Sequence, residues 1–76
     1  MLIYSQDEDL VININAVPGI EIETDYNEGN YKILCLCYGN SICIGEYDFF
    51  DRAERALNAL RDAYKKKKRV FYMPKY

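Results

Sequence analysis

The segment from residue 31 to residue 46 constrains the fold most, because it has the pattern of a β-hairpin that is apolar on both faces. Side chains alternate between the two faces of a strand, and only Lys32 interrupts the apolar character of residues 31–38. One face carries Tyr31, Ile33, Cys35 and Cys37, and the other carries Leu34, Leu36 and Tyr38. The sequence therefore predicts a sheet whose two faces must both be buried against other parts of the protein or against a partner.

The turn of this hairpin is predicted at Gly39-Asn40, because these residues readily adopt the positive φ of a two-residue hairpin loop. That turn pairs Cys37 with Ile42 and Leu36 with Cys43. Residues 41–46 then continue both apolar faces.

Around the hairpin the pattern predicts a single α+β domain over residues 1–76, since this length accommodates one domain. Alternation and turn residues predict further strands at residues 2–6, 10–15 and 20–25, with a short last strand at residues 70–73. The predicted order is β-β-β-β-β-α-β, with a mainly antiparallel sheet and one amphipathic helix on one face.

The helix is predicted to begin after Asp48, a favourable N-cap residue, with Asp51 three positions later. At about 100° per residue its apolar side chains fall on one stripe. We expect that stripe to pack on the sheet, and it contains Phe49, Phe50, Ala53, Ala56, Leu57, Leu60, Ala63 and Tyr64.

One helix covers only one face of a sheet, so the other face of the hairpin is left open. A contiguous apolar patch commonly marks an interface, and a two-fold dimer buries such a patch with few new contacts. The sequence therefore predicts a homo-oligomer, dimer or higher, with its interface formed by Leu34, Leu36, Tyr38 and Cys43.

The two halves of the chain carry opposite net charges, while hydropathy, the N-terminus and cysteine content favour a cytoplasmic protein without a membrane segment. Residues 1–46 contain eight acidic residues and one basic residue (−7), whereas residues 47–76 contain four acidic and nine basic residues (+5). No run reaches the roughly 18 apolar residues of a membrane span, and the apolar-then-acidic N-terminus is unlike a signal peptide. Three cysteines form a poor disulfide framework and suit a reducing compartment.

Catalytic and metal chemistry is not expected. The chain has no histidine, and the predicted register places Cys43 on the opposite face from Cys35 and Cys37, which argues against a zinc site. The carboxylates of residues 7–9 and residues 21–25 lie in polar segments and are predicted to be a solvated loop and a solvated strand face. We therefore expect no enzyme activity, no metal and no cofactor.

Binding residues are sought among the aromatic and basic side chains. The run at residues 65–69, Lys-Lys-Lys-Lys-Arg, could bind phosphates. The neighbouring Phe71, Tyr72 and Tyr64 could stack bases. Tyr64 and Tyr31 are assigned to the core. The candidate ligand-binding residues are Tyr4, Arg52, Arg55, Arg61 and Tyr72, with Tyr38 as a further contact residue.

Several short motifs resemble uncharacterised proteins from phages and prophages of Gram-positive bacteria. The motifs are Ser5-Gln6-Asp7, Ile44-Gly45-Glu46-Tyr47, Glu54-Arg55-Ala56 and the closing Phe71-Tyr72-Met73-Pro74. The resemblance assigns no residue a role. It implies a protein of the host-cell cytoplasm that acts by binding, either blocking a host defence protein or sequestering a nucleotide immune signal.

Three functions thus remain open. The first is a non-enzymatic, homo-oligomeric phage protein that counters host defence by sequestration or inhibition. The second is a small accessory protein that binds nucleic acid through residues 65–69, whose affinity should fall steeply with salt. A regulatory or structural partner of another phage protein is a third reading.

Overall fold

The computed structural model describes residues 1–17, 19–25, 29–37 and 39–76. It confirms an α+β fold with the predicted element order. The elements are β1 (Leu2–Tyr4), β2 (Val11–Asn13), a 3₁₀ turn (Ile14–Ala16), β3 (Gly19–Asp25), β4 (Asn30–Cys37), β5 (Asn40–Tyr47), α1 (Phe50–Lys65) and β6 (Val70–Tyr72).

The six strands form two three-stranded sheets. The hairpin sheet has the order β3-β4-β5 and is antiparallel throughout. The terminal sheet has the order β2-β1-β6, in which β1 runs antiparallel to β2 and parallel to β6. Parallel strands need a long crossover connection, and the helix before β6 lies within that connection.

The hairpin register differs from the predicted one by two residues. Cys35 pairs with Ile42 and Leu34 pairs with Cys43, so the predicted pairing of Cys37 with Ile42 is wrong. The reason is that Gly39 has a φ of 80° and lies in the turn, while Asn40 already pairs within β5. Because a shift of two residues leaves every side chain on its face, the predicted separation of Cys43 from Cys35 is confirmed.

A β-bulge in β5 joins the hairpin sheet to the rest of the core. Ile33 pairs with Gly45 and Leu34 pairs with Cys43, which leaves Ile44 as the extra residue. Ile44 is 1% exposed and belongs to the core. The ring of Tyr47 packs directly over Gly45, where an added Cβ would lie 2.9 Å from the ring carbon Cε2.

Both sheets and the helix contribute to one hydrophobic core. Small side chains let a helix approach a sheet closely, and three of the buried helix residues are alanines. The buried cluster contains Ile3, Ile33, Cys35, Ile44, Tyr47, Ala53, Ala56, Leu57, Leu60 and Met73.

The ends of the helix depart from the prediction. Phe49, not Asp48, is the N-cap residue, its backbone is extended, and no side chain caps the first turn. Phe49, Phe50 and Tyr64 are exposed, so the assignment of Tyr64 to the core is wrong. Only the middle of the predicted stripe, from Ala53 to Ala63, is buried. Tyr31 is half-buried and packs against the core, with its ring edge-on to Phe50.

The predicted strand over residues 10–15 is cut short at Asn13. The Asn13 side-chain oxygen accepts a 3.0 Å hydrogen bond from the Asn15 amide and caps the 3₁₀ turn. Asparagine commonly competes with strand pairing in this way.

In the described part of the chain, no helix is long and apolar enough to cross a membrane.

Candidate functional site

The C-terminus of the helix ends in a tight reversal that gathers the basic run. The Lys68 amide donates to the Ala63 carbonyl at 3.1 Å, and the Lys67 amide donates to the Tyr64 carbonyl at 3.0 Å. This pair of bonds is the Schellman motif, in which the left-handed residue is usually glycine. Here that residue is Lys67, with a φ of 57°. The chain therefore folds back immediately after the helix, and consecutive lysines project around its end.

The reversal forms an open groove of about 510 Å³ lined by Met1, Tyr64, Lys65, Lys67, Lys68 and Arg69. We refer to it as the basic groove. Backbone pairing fixes its far wall, since the Leu2 amide donates to the Arg69 carbonyl at 2.8 Å. Tyr64 is 55% exposed. The groove thus combines four cationic side chains with one accessible aromatic ring.

The electrostatics of the groove favour anions. Lys66, which does not line it, pairs with Asp62 at 2.9 Å. The hydrogen bond from Lys66 and its charge, followed by the charges of Lys65 and Lys68, lower the pKa of the Asp62 carboxyl. A helix C-terminus carries only about half a negative charge, whereas the groove carries four formal positive charges. No described carboxylate forms a salt bridge with any of these four cations.

Two of the predicted ligand-binding residues lie together on the terminal sheet. Tyr4 and Tyr72 are register partners in the parallel β1–β6 pair, and their rings stack with centroids 4.6 Å apart. Ile3, between Leu2 and Tyr4, points into the core. The opposite side of the sheet, which we call the outer face, is formed by Leu2, Tyr4, Val11, Asn13, Val70 and Tyr72.

The three predicted arginines do not form one site. Arg52 lies over the ring of Phe49 at 5.2 Å, and Arg61 donates to the Asn58 side-chain oxygen at 3.2 Å. Nine residues separate Arg52 from Arg61, which places them about 180° apart around the helix and about 13 Å apart along it. Arg55 is also exposed. No hydrogen bond, ion pair or ring contact among the described residues joins these arginines to Tyr4 or Tyr72.

The predicted oligomer interface exposes little apolar surface. Leu34 is only 6% exposed in the single chain, and Leu36 is half-buried. Cys43 is exposed. Tyr38 lies outside the described residues. The acidic Glu21 pairs with Leu34 in the neighbouring strand, so this face is mixed rather than apolar.

A second cleft, of about 270 Å³, lies between the β1–β2 loop and the bulged end of β5. Its lining includes Asp7, Asp9, Cys43 and Glu46. Partial desolvation raises the pKa of the Cys43 thiol, and the charges of Glu46 and Asp7 raise it further. A thiol with a raised pKa is a poor nucleophile and a poor metal ligand. The described residues hold no group of three or more potential metal-ligating side chains.

The sequence indicated the basic run and offered Tyr64 as a stacking residue beside it, but the assignment of Tyr64 to the core was wrong. Helical periodicity placed Tyr64 on the buried stripe, and periodicity carries no information on where the sheet beneath a helix ends.

No protein family, curated protein or solved structure matches this chain.

Proposed function

We propose that the protein is a non-enzymatic binding protein that holds a nucleotide in the basic groove. The observation that carries this proposal is the placement of an exposed tyrosine ring beside four cations at one end of the molecule. Phosphate groups are recognised by such cations, and Arg69 can bind two phosphate oxygens at once. A base can stack on Tyr64 while its phosphates contact the cations.

The backbone at Lys67 supports a role for its charge. A left-handed φ is unfavourable for residues other than glycine by about 1 kcal/mol, and Lys67 adopts a φ of 57°. A glycine at this position would fit the reversal better but would remove one groove cation. Strain of this kind is often found at binding sites.

The size of the groove favours a small ligand. Its volume of about 510 Å³ falls within the range of small-molecule sites, and it contains one tyrosine ring, enough for one base. A nucleotide signal sequestered from a host defence system would fit this description. Single-stranded nucleic acid offers the same phosphates and bases, and binding of a longer strand would need further stacking residues.

The test is fluorescence anisotropy with two labelled probes, a cyclic dinucleotide and a short oligothymidylate. We expect the dinucleotide to bind, and replacing Lys65, Lys68 and Arg69 together with Gln to weaken binding at least about tenfold, a loss of about 1.4 kcal/mol. The matched control replaces Arg52, Arg55 and Arg61 with Gln, which changes the net charge equally. Equal losses in both triple variants, or no binding of either probe, would contradict the proposal.

Salt dependence separates the two ligand sources. In one outcome the oligonucleotide binds more tightly than the dinucleotide, and the logarithm of its affinity falls against the logarithm of the salt concentration with a slope near −3. Because counterion release contributes about −0.7 per contact, that slope indicates that four cations contact the strand. That outcome would assign the groove to nucleic acid. Tighter dinucleotide binding would support sequestration of a nucleotide.

A further inference from the structure

The outer face of the terminal sheet carries several exposed apolar side chains next to one another. Tyr72 is 56% exposed, Val11 50%, Leu2 41% and Val70 38%, and Tyr4 is partly exposed beside Tyr72. Val11, Tyr4 and Tyr72 form one row across the three strands. In the next row Leu2 and Val70 lie beside the polar Asn13. Contiguous apolar patches of this kind mark interaction surfaces in otherwise polar proteins.

The two ends of this face carry opposite charges. Beyond Tyr4 and Val11 the β1–β2 loop presents the exposed Asp7, Glu8 and Asp9. Glu8 pairs with Lys75 at 2.9 Å, so three carboxylates face one ammonium group and the loop keeps a net charge of −2. At the other end, beyond Leu2 and Val70, lies the basic groove.

We propose that a second copy of this chain packs on the outer face with its strands antiparallel to those of the first. A two-fold axis in the plane of the interface, perpendicular to the strands, then places the acidic loop of each copy against the basic end of the other. The apolar rows meet in the centre. A surface of this kind is complementary to itself, as an isologous interface requires.

Size and charge together favour a second copy over an unrelated partner. A standard interface buries about 800 Å² on each side, which is more than five half-exposed side chains provide. The charged ends must therefore contribute area, and they do so only when the partner carries the opposite pattern. The inference goes beyond the proposed function, because association through the outer face needs no ligand.

This packing also couples association to ligand binding. The acidic loop of the second copy would lie beside the groove cations that an anion contacts. By linkage, a bound anion that displaces the loop weakens association, and association weakens anion binding by the same factor.

The test is sedimentation velocity of the ligand-free protein over a wide concentration range. We expect a dimer in low salt. Val11→Lys, which places a charge among the apolar side chains of the face, should weaken the dimer at least about tenfold. The matched control is Ser41→Lys, an exposed position on an edge strand of the hairpin sheet. Circular dichroism of both variants establishes that they are folded.

A charge exchange tests the antiparallel arrangement. Asp7→Lys and Lys68→Asp should each weaken the dimer at low salt. The double variant should recover part of the loss, because position 7 of one copy and position 68 of the other again carry opposite charges. A monomer at every concentration, or equal dimerisation of Val11→Lys and Ser41→Lys, would overturn the proposal. Failure of Asp7→Lys to affect the dimer would overturn the arrangement. These measurements use ligand-free protein, so loss of the dimer and loss of nucleotide binding are observed separately.

Discussion

The phenol hydroxyl of Tyr47 donates a 2.7 Å hydrogen bond to the backbone carbonyl of Pro74. This bond joins the end of β5 to the segment that follows β6. Nearby, the Gln6 side chain donates to the Lys75 carbonyl at 2.8 Å and accepts from the Glu46 amide at 2.8 Å. The two sheets are thus held together by polar contacts around a tyrosine that is only 2% exposed.

Tyr47→Phe should lower the free energy of unfolding by about 1 to 2 kcal/mol, because it removes the bond and leaves a partly buried carbonyl without its donor. Urea unfolding at neutral pH measures this. Tyr72→Phe is the control, since its ring is exposed, and it should leave stability nearly unchanged. Equal stability of Tyr47→Phe and the parent chain would show that the bond contributes nothing.

Titration of Tyr47 should lower the stability of the protein at high pH. Burial, with a smaller effect from Cys43, raises the pKa of Tyr47 from 10.0 to about 12. The unfolded chain therefore loses this proton near pH 10, while the folded chain keeps it until about pH 12. The resulting stabilisation is complete below pH 10 and disappears as the pH rises through 12. Between these values the parent chain should lose more stability than Tyr47→Phe, and parallel pH profiles of unfolding would refute the assignment.

Gly45→Ala should lower the free energy of unfolding by about 1 to 3 kcal/mol, the usual range for overpacking a core. The new Cβ would lie 2.9 Å from the Tyr47 ring and would push it away from Pro74. Gly19→Ala is the matched control, because its Cβ would meet only Leu36 Cδ1 at an ordinary 3.5 Å. Thermal unfolding of the two variants should therefore separate clearly, and similar melting temperatures would contradict the close packing at Gly45.

Lys67→Gly should raise the free energy of unfolding by about 1 kcal/mol while weakening nucleotide binding. Glycine removes the cost of the left-handed φ at this position, and the substitution deletes one groove cation. Lys66→Gly is the control, because Lys66 has a φ of −81° and does not line the groove. Chemical unfolding and anisotropy on the same samples test both effects. A gain in stability with unchanged binding would remove Lys67 from the site.

Tyr64→Ala should change stability by less than about 0.5 kcal/mol, as is usual for surface substitutions, because the side chain is 55% exposed. It should weaken nucleotide binding by about 1 to 3 kcal/mol, the contribution of one stacked base. Leu60→Ala provides the contrast, since Leu60 is 2% exposed and should lose about 2 to 5 kcal/mol of stability. A large loss of unfolding free energy in Tyr64→Ala would show instead that Tyr64 belongs to the core.

The candidate site could be predicted in part. Residues 65–69 are visible as a basic run in the sequence, but their aromatic neighbour and the wall formed by Met1 depend on where the helix ends and which strand lies beside it. The arginines were predicted as a group because all three are polar helix residues. Helix geometry places Arg52 and Arg61 on opposite sides.

The sequence by itself determined the local elements and the faces of the strands. Alternating polarity defined β3, the apolar run defined the hairpin, and the 3.6-residue period defined the helix, because each pattern depends only on neighbouring residues. A register error of two residues did not disturb these assignments, since the period of a strand is two.

Only the tertiary structure decided how the strands divide into two sheets and which apolar face remains open. β6 pairs with β1 across almost the whole length of the chain, and no local pattern encodes such a pairing. Leu34 of the hairpin is buried, whereas Val11 and Tyr72 of the terminal sheet are exposed. The strand patterns alone do not distinguish these residues, because exposure depends on which elements cover a strand as well as on the strand's own sequence.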